Sequence, residues 1–163
     1  MHQRGERRAL DRQWLRYLQE RAAPLSSLAD LDPPPGLSPA VQLLTAGEFT
    51  ASHEAWEVLW REATYPVRLF YLAMAKLTAG LEQARRGNSK GAVRLVSDGL
   101  QFLKPFQPSI MRLDTAQIEE TMSRWLGQQR RGERPIAAAP TQVIRIAPTA
   151  NDPTHERKRG GSS

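Results

Sequence analysis

Apolar residues recur at spacings of three and four along most of this chain, the signature of helices that bury one face. In the first segment Leu10, Trp14 and Leu18 lie four apart with Tyr17 beside them, and arginines occupy the other side. This pattern predicts an amphipathic helix that ends before Pro24. A connector follows, in which Leu25, Leu28 and Leu31 pack loosely and the run Pro33, Pro34, Pro35, Gly36 prevents regular structure. Ser38 before Pro39 marks the next helix start, because serine can cap free amides and proline at the first helical position has no amide to satisfy. That helix runs to Ala46, where Gly47 supplies a left-handed stop.

A third helix is expected over 49–63, closed by Thr64-Tyr65-Pro66. From Val67 to Arg86 the pattern is strongest: Phe70, Met74, Leu77, Leu81 and Ala84 form the arc, and Leu69, Ala73 and Gly80 widen it. Gly87-Asn88 breaks this helix and Ser89 caps the next, whose inward face is Ala92, Leu95, Val96, Gly99 and Leu103. Pro105 and Pro108 end it. Asp114 or Thr115 then opens a final helix carrying Ile118, Met122, Trp125 and Leu126, up to Gln129. Short connections make successive helices antiparallel neighbours, so the expected fold is an all-α compact bundle of about five helices.

After Arg131 the composition shifts to Gly, Pro, Ala, Thr and Arg, with few large apolar residues beyond Val143, Ile144 and Ile146. Such a segment buries too little surface to offset its ordering entropy, although T-Q-V-I-R-I is able to pair as a transient strand. The organisation expected is therefore an N-terminal amphipathic helix over 1–24, a Pro-rich linker over 25–37, a helical-bundle domain over 38–131 and a disordered basic tail over 132–163.

Composition narrows the function classes. A chain of 163 residues with 40% hydrophobic content fills one core. It has no cysteine, which excludes disulfides, thiolate metal sites and a thiol nucleophile. No apolar run is long enough to cross a bilayer and no signal-peptide pattern follows the first residues, so a cytoplasmic protein without a membrane partner is expected. The net charge of +6 sits at the ends: 1–24 carries a balance of +3, 127–163 of +4, and the middle of −1. Weak, non-specific polyanion binding by the termini is the expectation this allows.

The chemistry-bearing residues gather in G-E-F-T-A-S-H-E-A-W-E-V-L-W, from Gly47 to Trp60. On a helical wheel Phe49, His53, Trp56 and Trp60 share one arc, with Thr50 and Glu57 at its edge. His53-Glu54 is not the zinc-protease motif, which needs a second histidine where Glu57 stands. His53 and Glu57 offer two metal ligands from one face, but a catalytic centre needs a third, and His2 and His155 lie near the ends. No metal and no cofactor is therefore expected. Glu54 and Glu57 project about 60 degrees apart, which does not suit a converging acid–base pair. Glu57 also precedes Arg61 by four residues, the favourable order for a helical ion pair.

Lys76 falls within the apolar arc of its helix, between Leu69, Leu72, Ala73 and Gly80, where it must snorkel or pair. The expected arrangement is a polar cluster of His53, Glu54, Glu57 and Lys76 walled by Trp56, Trp60 and Tyr71. The segment Gly87-Asn88 to Gly91-Ala92 lacks the strand, lysine and hydroxyl of a phosphate loop, and as a likeness to a tetratricopeptide hairpin it is single. Trp56 and Trp60 read as core aromatics rather than as base-stacking platforms.

The run G-E-F-x-x-x-H-E-x-x-E-x-x-W, with Phe70-Tyr71, Gly87-Asn88 and Gly91-Ala92 behind it, resembles the bacterial and plastid family called domain of unknown function 309 over roughly residues 38–106. The resemblance implies a compact helical domain with the His-Glu pair as its signature, and brings no established activity. The family commonly has Glu where this chain has Ala51 and tends to have Gln where it has Leu72 and Lys76. Three readings of function stand. The first is a non-enzymatic interaction or scaffold module with a protein partner. The second is a hydrolase or metal-dependent enzyme using His53, Glu54 and Glu57. The third is a nucleic-acid accessory protein that binds through its basic ends.

Overall fold

The computed structural model describes residues 2–21 and 25–132. The segment 133–163, for which the sequence suggests a disordered tail, lies outside the described residues. Six α-helices account for most of the described chain: α1 (His2–Glu20), α2 (Leu37–Thr45), α3 (Phe49–Glu62), α4 (Val67–Arg85), α5 (Ser89–Leu103) and α6 (Thr115–Arg130). The all-α fold expected from the spacing is what the chain adopts.

The ends of the helices follow the local chemistry with two shifts. Gly47 and Gly87 both take positive φ, and each closes its helix with a pair of return hydrogen bonds. The Glu48 amide donates to Leu43 O at 2.9 Å and the Asn88 amide to Gln83 O at 2.9 Å. This is the left-handed C-terminal stop that glycine adopts without a Cβ penalty. The expected caps at Ser38 and Ser89 are each displaced. α2 begins at Leu37 with no side-chain cap, and α5 is capped by Asn88, whose side chain accepts from the Gly91 amide at 3.0 Å. Asn88 precedes the helix and so stands where a side-chain oxygen reaches the free amides, whereas Ser89 is already its first residue. α6 starts as expected, with Asp114 accepting from the Gln117 amide at 2.9 Å.

α4 is the central element. It packs against α3 on one side and α5 on the other, while α2 leans on α3 and α6 on α5. Trp56, Phe70, Phe102 and Phe106 are fully buried between them. Phe70 meets Trp56 edge-on at 6.2 Å between ring centroids and Phe106 at 6.0 Å. Inside this core Ser52 Oγ donates to Ala40 O at 2.9 Å, which satisfies a buried hydroxyl and fixes α2 on α3.

Between α5 and α6 the chain makes a short antiparallel hairpin of β1 (Ser109–Ile110) and β2 (Leu113–Asp114) that the helical pattern did not reveal. Met111 and Arg112 at its turn both have positive φ, 48° and 65°. Their amides donate to Leu28 O and Ala29 O, each at 2.9 Å, and Arg112 pairs with Asp32 at 2.9 Å. The connector read as loosely packed is thereby tied down through its backbone.

α1 differs from expectation in its rotation. The inward arc is Asp11, Leu15 and Leu18, all at most 5% exposed. Leu10 and Tyr17, expected inside, are 44% and 52% exposed. A carboxylate with specific partners on the bundle takes the inward position.

Candidate functional site

The His-Glu run forms the middle of α3 but does not gather a buried polar cluster. Trp56 is wholly inside the core and Phe49 nearly so. His53 is half-buried at the edge, with its Nε2 3.6 Å from Glu57 Oε1 one turn on. The Glu57 side chain is 50% exposed, and Glu54 is exposed. Arg61 Nε donates to the Glu57 carbonyl oxygen at 3.4 Å rather than to its carboxylate. Two donors thus stand on one face of α3, and among the described residues no group of three or more His, Asp or Glu side chains is placed to hold a metal ion.

Lys76 does need a partner, but the pairing with Glu57 or Glu54 is corrected by the geometry. Its Nζ lies 2.7 Å from Asp98 Oδ2 on α5, and 5.6 Å from the centroid of the Phe102 ring. Arg12 of α1 reaches the same Asp98 oxygen at 3.4 Å. α4 has neighbours on both sides, and the face that carries Lys76 looks toward α5 rather than α3. Of the residues expected as pocket walls, Trp56 and Tyr71 stay together in the core with ring centroids 6.4 Å apart, and Tyr71 donates its hydroxyl to Met111 Sδ at 3.4 Å, whereas Trp60 belongs to a different constellation. Burial pushes the Tyr71 phenol up to about 12.

That constellation is the most developed polar site of the described chain. Asp11 of α1, 1% exposed, accepts from Tyr65 Oη at 2.5 Å and from Arg68 Nε at 3.2 Å. The Arg68 guanidinium lies over the Trp60 ring, 4.2 Å from its centroid, and 5.5 Å from that of Tyr65. Trp14 stacks on the other side on Tyr65 at 4.9 Å, the planes 4° apart. Burial, and then the hydrogen bond to Asp11, push the Tyr65 phenol up to about 12. Three polar atoms in this group are buried without a hydrogen-bond partner: Asp11 Oδ2, Arg68 Nη2 and Trp60 Nε1. Chemically the site is a carboxylate clamp lined by flat aromatic surface.

The sequence held a signal for it. Asp11 falls between Leu15 and Leu18 on the wheel of α1, as exceptional there as Lys76 is on α4. The apolar spacing of Leu10, Trp14 and Leu18 drew the face away from it.

Residues 37–95 match the family model described as Domain of unknown function (DUF309), the family that the His-Glu run resembles. No curated protein and no solved structure matches the chain. The matched segment contains α2, α3 and α4 and the first half of α5, so Trp60, Tyr65, Arg68 and Lys76 lie within it. Asp11, Trp14 and Asp98 lie outside it.

Proposed function

We propose that this protein is a non-enzymatic interaction module. The carrying observation is the grip of Tyr65 and Arg68 on Asp11. The most developed recognition geometry of the matched segment is directed at a helix from outside that segment, and its components are those of protein–protein contact: guanidinium, phenol, indole and carboxylate. The carboxylates of the His-Glu run are solvated, with the Glu57 side chain 50% exposed and Glu54 exposed, and do not line an enclosed cavity in which a substrate would be held.

The rival reading is a metal-dependent hydrolase using His53, Glu54 and Glu57, and its support is the 3.6 Å approach of His53 to Glu57. Elemental analysis of full-length protein purified without an affinity tag decides between the two. Substoichiometric zinc, iron and manganese are expected, with His53→Ala leaving both metal content and fold unchanged. A full equivalent of one of these metals that His53→Ala removes would overturn the proposal.

A further inference from the structure

The clamp on Asp11 is imperfectly filled. A carboxylate and a guanidinium frequently meet in a planar fork, two parallel N–H···O contacts between both oxygens and two nitrogens. Here Asp11 offers one oxygen to both donors, Tyr65 Oη and Arg68 Nε, while its second oxygen and Arg68 Nη2 are buried and unpartnered. Trp60 Nε1, on the ring beneath the guanidinium, is a second buried donor without an acceptor. Buried polar groups are paired in the great majority of cases, so three left over in one place mark a site with more capacity than its occupant uses.

The occupant is also a separate piece of chain. Clamp residues Trp60, Tyr65 and Arg68 all fall within residues 37–95, the segment that matches the family model. Asp11 and Trp14 come from α1, joined to that segment through the connector that ends in Pro33, Pro34, Pro35 and Gly36. The two ligand groups are three residues apart on one face, so a single helical turn delivers a carboxylate to the guanidinium and a flat ring to Tyr65. Among the described residues α1 is also held by the buried Leu15 and Leu18 and by Arg12, which lies 5.9 Å from the Phe102 ring centroid and pairs with Asp98 at the surface, its side chain 55% exposed, where an ion pair contributes little.

We propose that the corner formed by Trp60, Tyr65 and Arg68 is a receptor for a partner helix carrying a carboxylate followed three residues later by an aromatic ring, and that α1 fills it in cis. The inference rests on the interaction-module reading and names the partner chemistry. Recognition is helix-in-groove, with the arginine as the charged anchor and Tyr65 as the stacking platform. Tethering gives α1 a high effective concentration, so an incoming helix has to outcompete it, and the receptor is closed until it does.

The test uses a fluorescent peptide with the sequence of residues 2–21 as the incoming helix. Its binding is measured by anisotropy to the full chain, to Asp11→Ala/Trp14→Ala, and to that variant with Arg68→Gln added. Weak binding to the unaltered chain is expected, at least ten-fold tighter binding to the double variant, and loss of that gain with Arg68→Gln. A peptide carrying Asp11→Asn should lose it too. Should the double variant fail to fold by circular dichroism, Arg12→Ala, which loosens α1 without touching the clamp, should show a smaller gain in the same direction. No gain in the folded opened variant, or a gain that Arg68→Gln leaves intact, overturns the proposal. Metal content is a separate readout, so failure here leaves the interaction reading standing with another surface.

Discussion

Lys76 and Asp98 meet at 2.7 Å with side chains 23% and 20% exposed, between the fully buried and the fully solvated cases. Breaking a fully buried pair costs about 3–5 kcal/mol and a surface pair is worth about 0–1, so Lys76→Met should cost about 1–3 kcal/mol. Asp98→Asn should cost more, because it strands an ammonium and also releases Arg12. A double-mutant cycle on denaturant unfolding should show coupling between positions 76 and 98 and none between 76 and 57. Strict additivity at 76 and 98 would eliminate the pair. The need for a partner at Lys76 was legible in the sequence, since a cation in an apolar arc has few alternatives. Which carboxylate answers it was not legible, because a helical wheel gives a direction relative to its own axis and says nothing of which neighbour stands there. The same limit hid the clamp: Asp11 and Arg68 are 57 positions apart, and neither belongs to a spaced motif.

Helices α4 and α5 approach through their glycines. A Cβ on Gly80 would stand 2.6 Å from Val96 Cγ2 and 3.2 Å from Ala92 O, and one on Gly99 would stand 2.9 Å from Leu77 Cδ2 and 3.1 Å from its amide nitrogen. Alanine in place of glycine in a helix interior ordinarily stabilises by about 1 kcal/mol. Here the overlap involves backbone and a stiff β-branched side chain, and overpacking of this kind costs about 1–3 kcal/mol, so Gly80→Ala and Gly99→Ala should both lower the melting temperature. Val96→Ala should recover part of the loss from Gly80→Ala and none of that from Gly99→Ala. A higher melting temperature for either single variant would contradict so close a crossing. Helices α3 to α6 were readable within a residue or two because apolar spacing sets their extent and local signals mark several boundaries, the Gly87 stop and the Asn88 and Asp114 caps among them. α1 was readable as a helix but not in its rotation, since Leu10 and Tyr17 satisfy the spacing as well as Leu15 does. The hairpin at 109–114 escaped because two-residue strands have no period, and its turn uses Met111 and Arg112 at positive φ where asparagine or glycine would have announced it.

Charge is distributed over the whole molecule in a way no single element shows. The ends carry +3 and +4 and the middle −1, so the excess positive charge belongs to the two terminal stretches of the sequence. On α1 the guanidinium groups of Arg7, Arg8 and Arg16 are exposed, while Arg12 is engaged with Asp98. No membrane-spanning helix exists among the described residues. Attraction of this kind toward a polyanion comes from released counterions and carries no sequence information. Binding of the full chain to a single-stranded oligonucleotide should therefore be weak, indifferent to sequence and steeply reduced by added salt. Each phosphate contact on a single strand contributes about 0.7 to the slope of log K against log salt, so replacing Arg7, Arg8 and Arg16 by Gln should lower that slope by about 2. The slope that survives measures the share of the remaining basic residues, those of 127–163 among them. Salt-insensitive or sequence-selective binding would contradict the electrostatic account and require a folded reader of bases in its place.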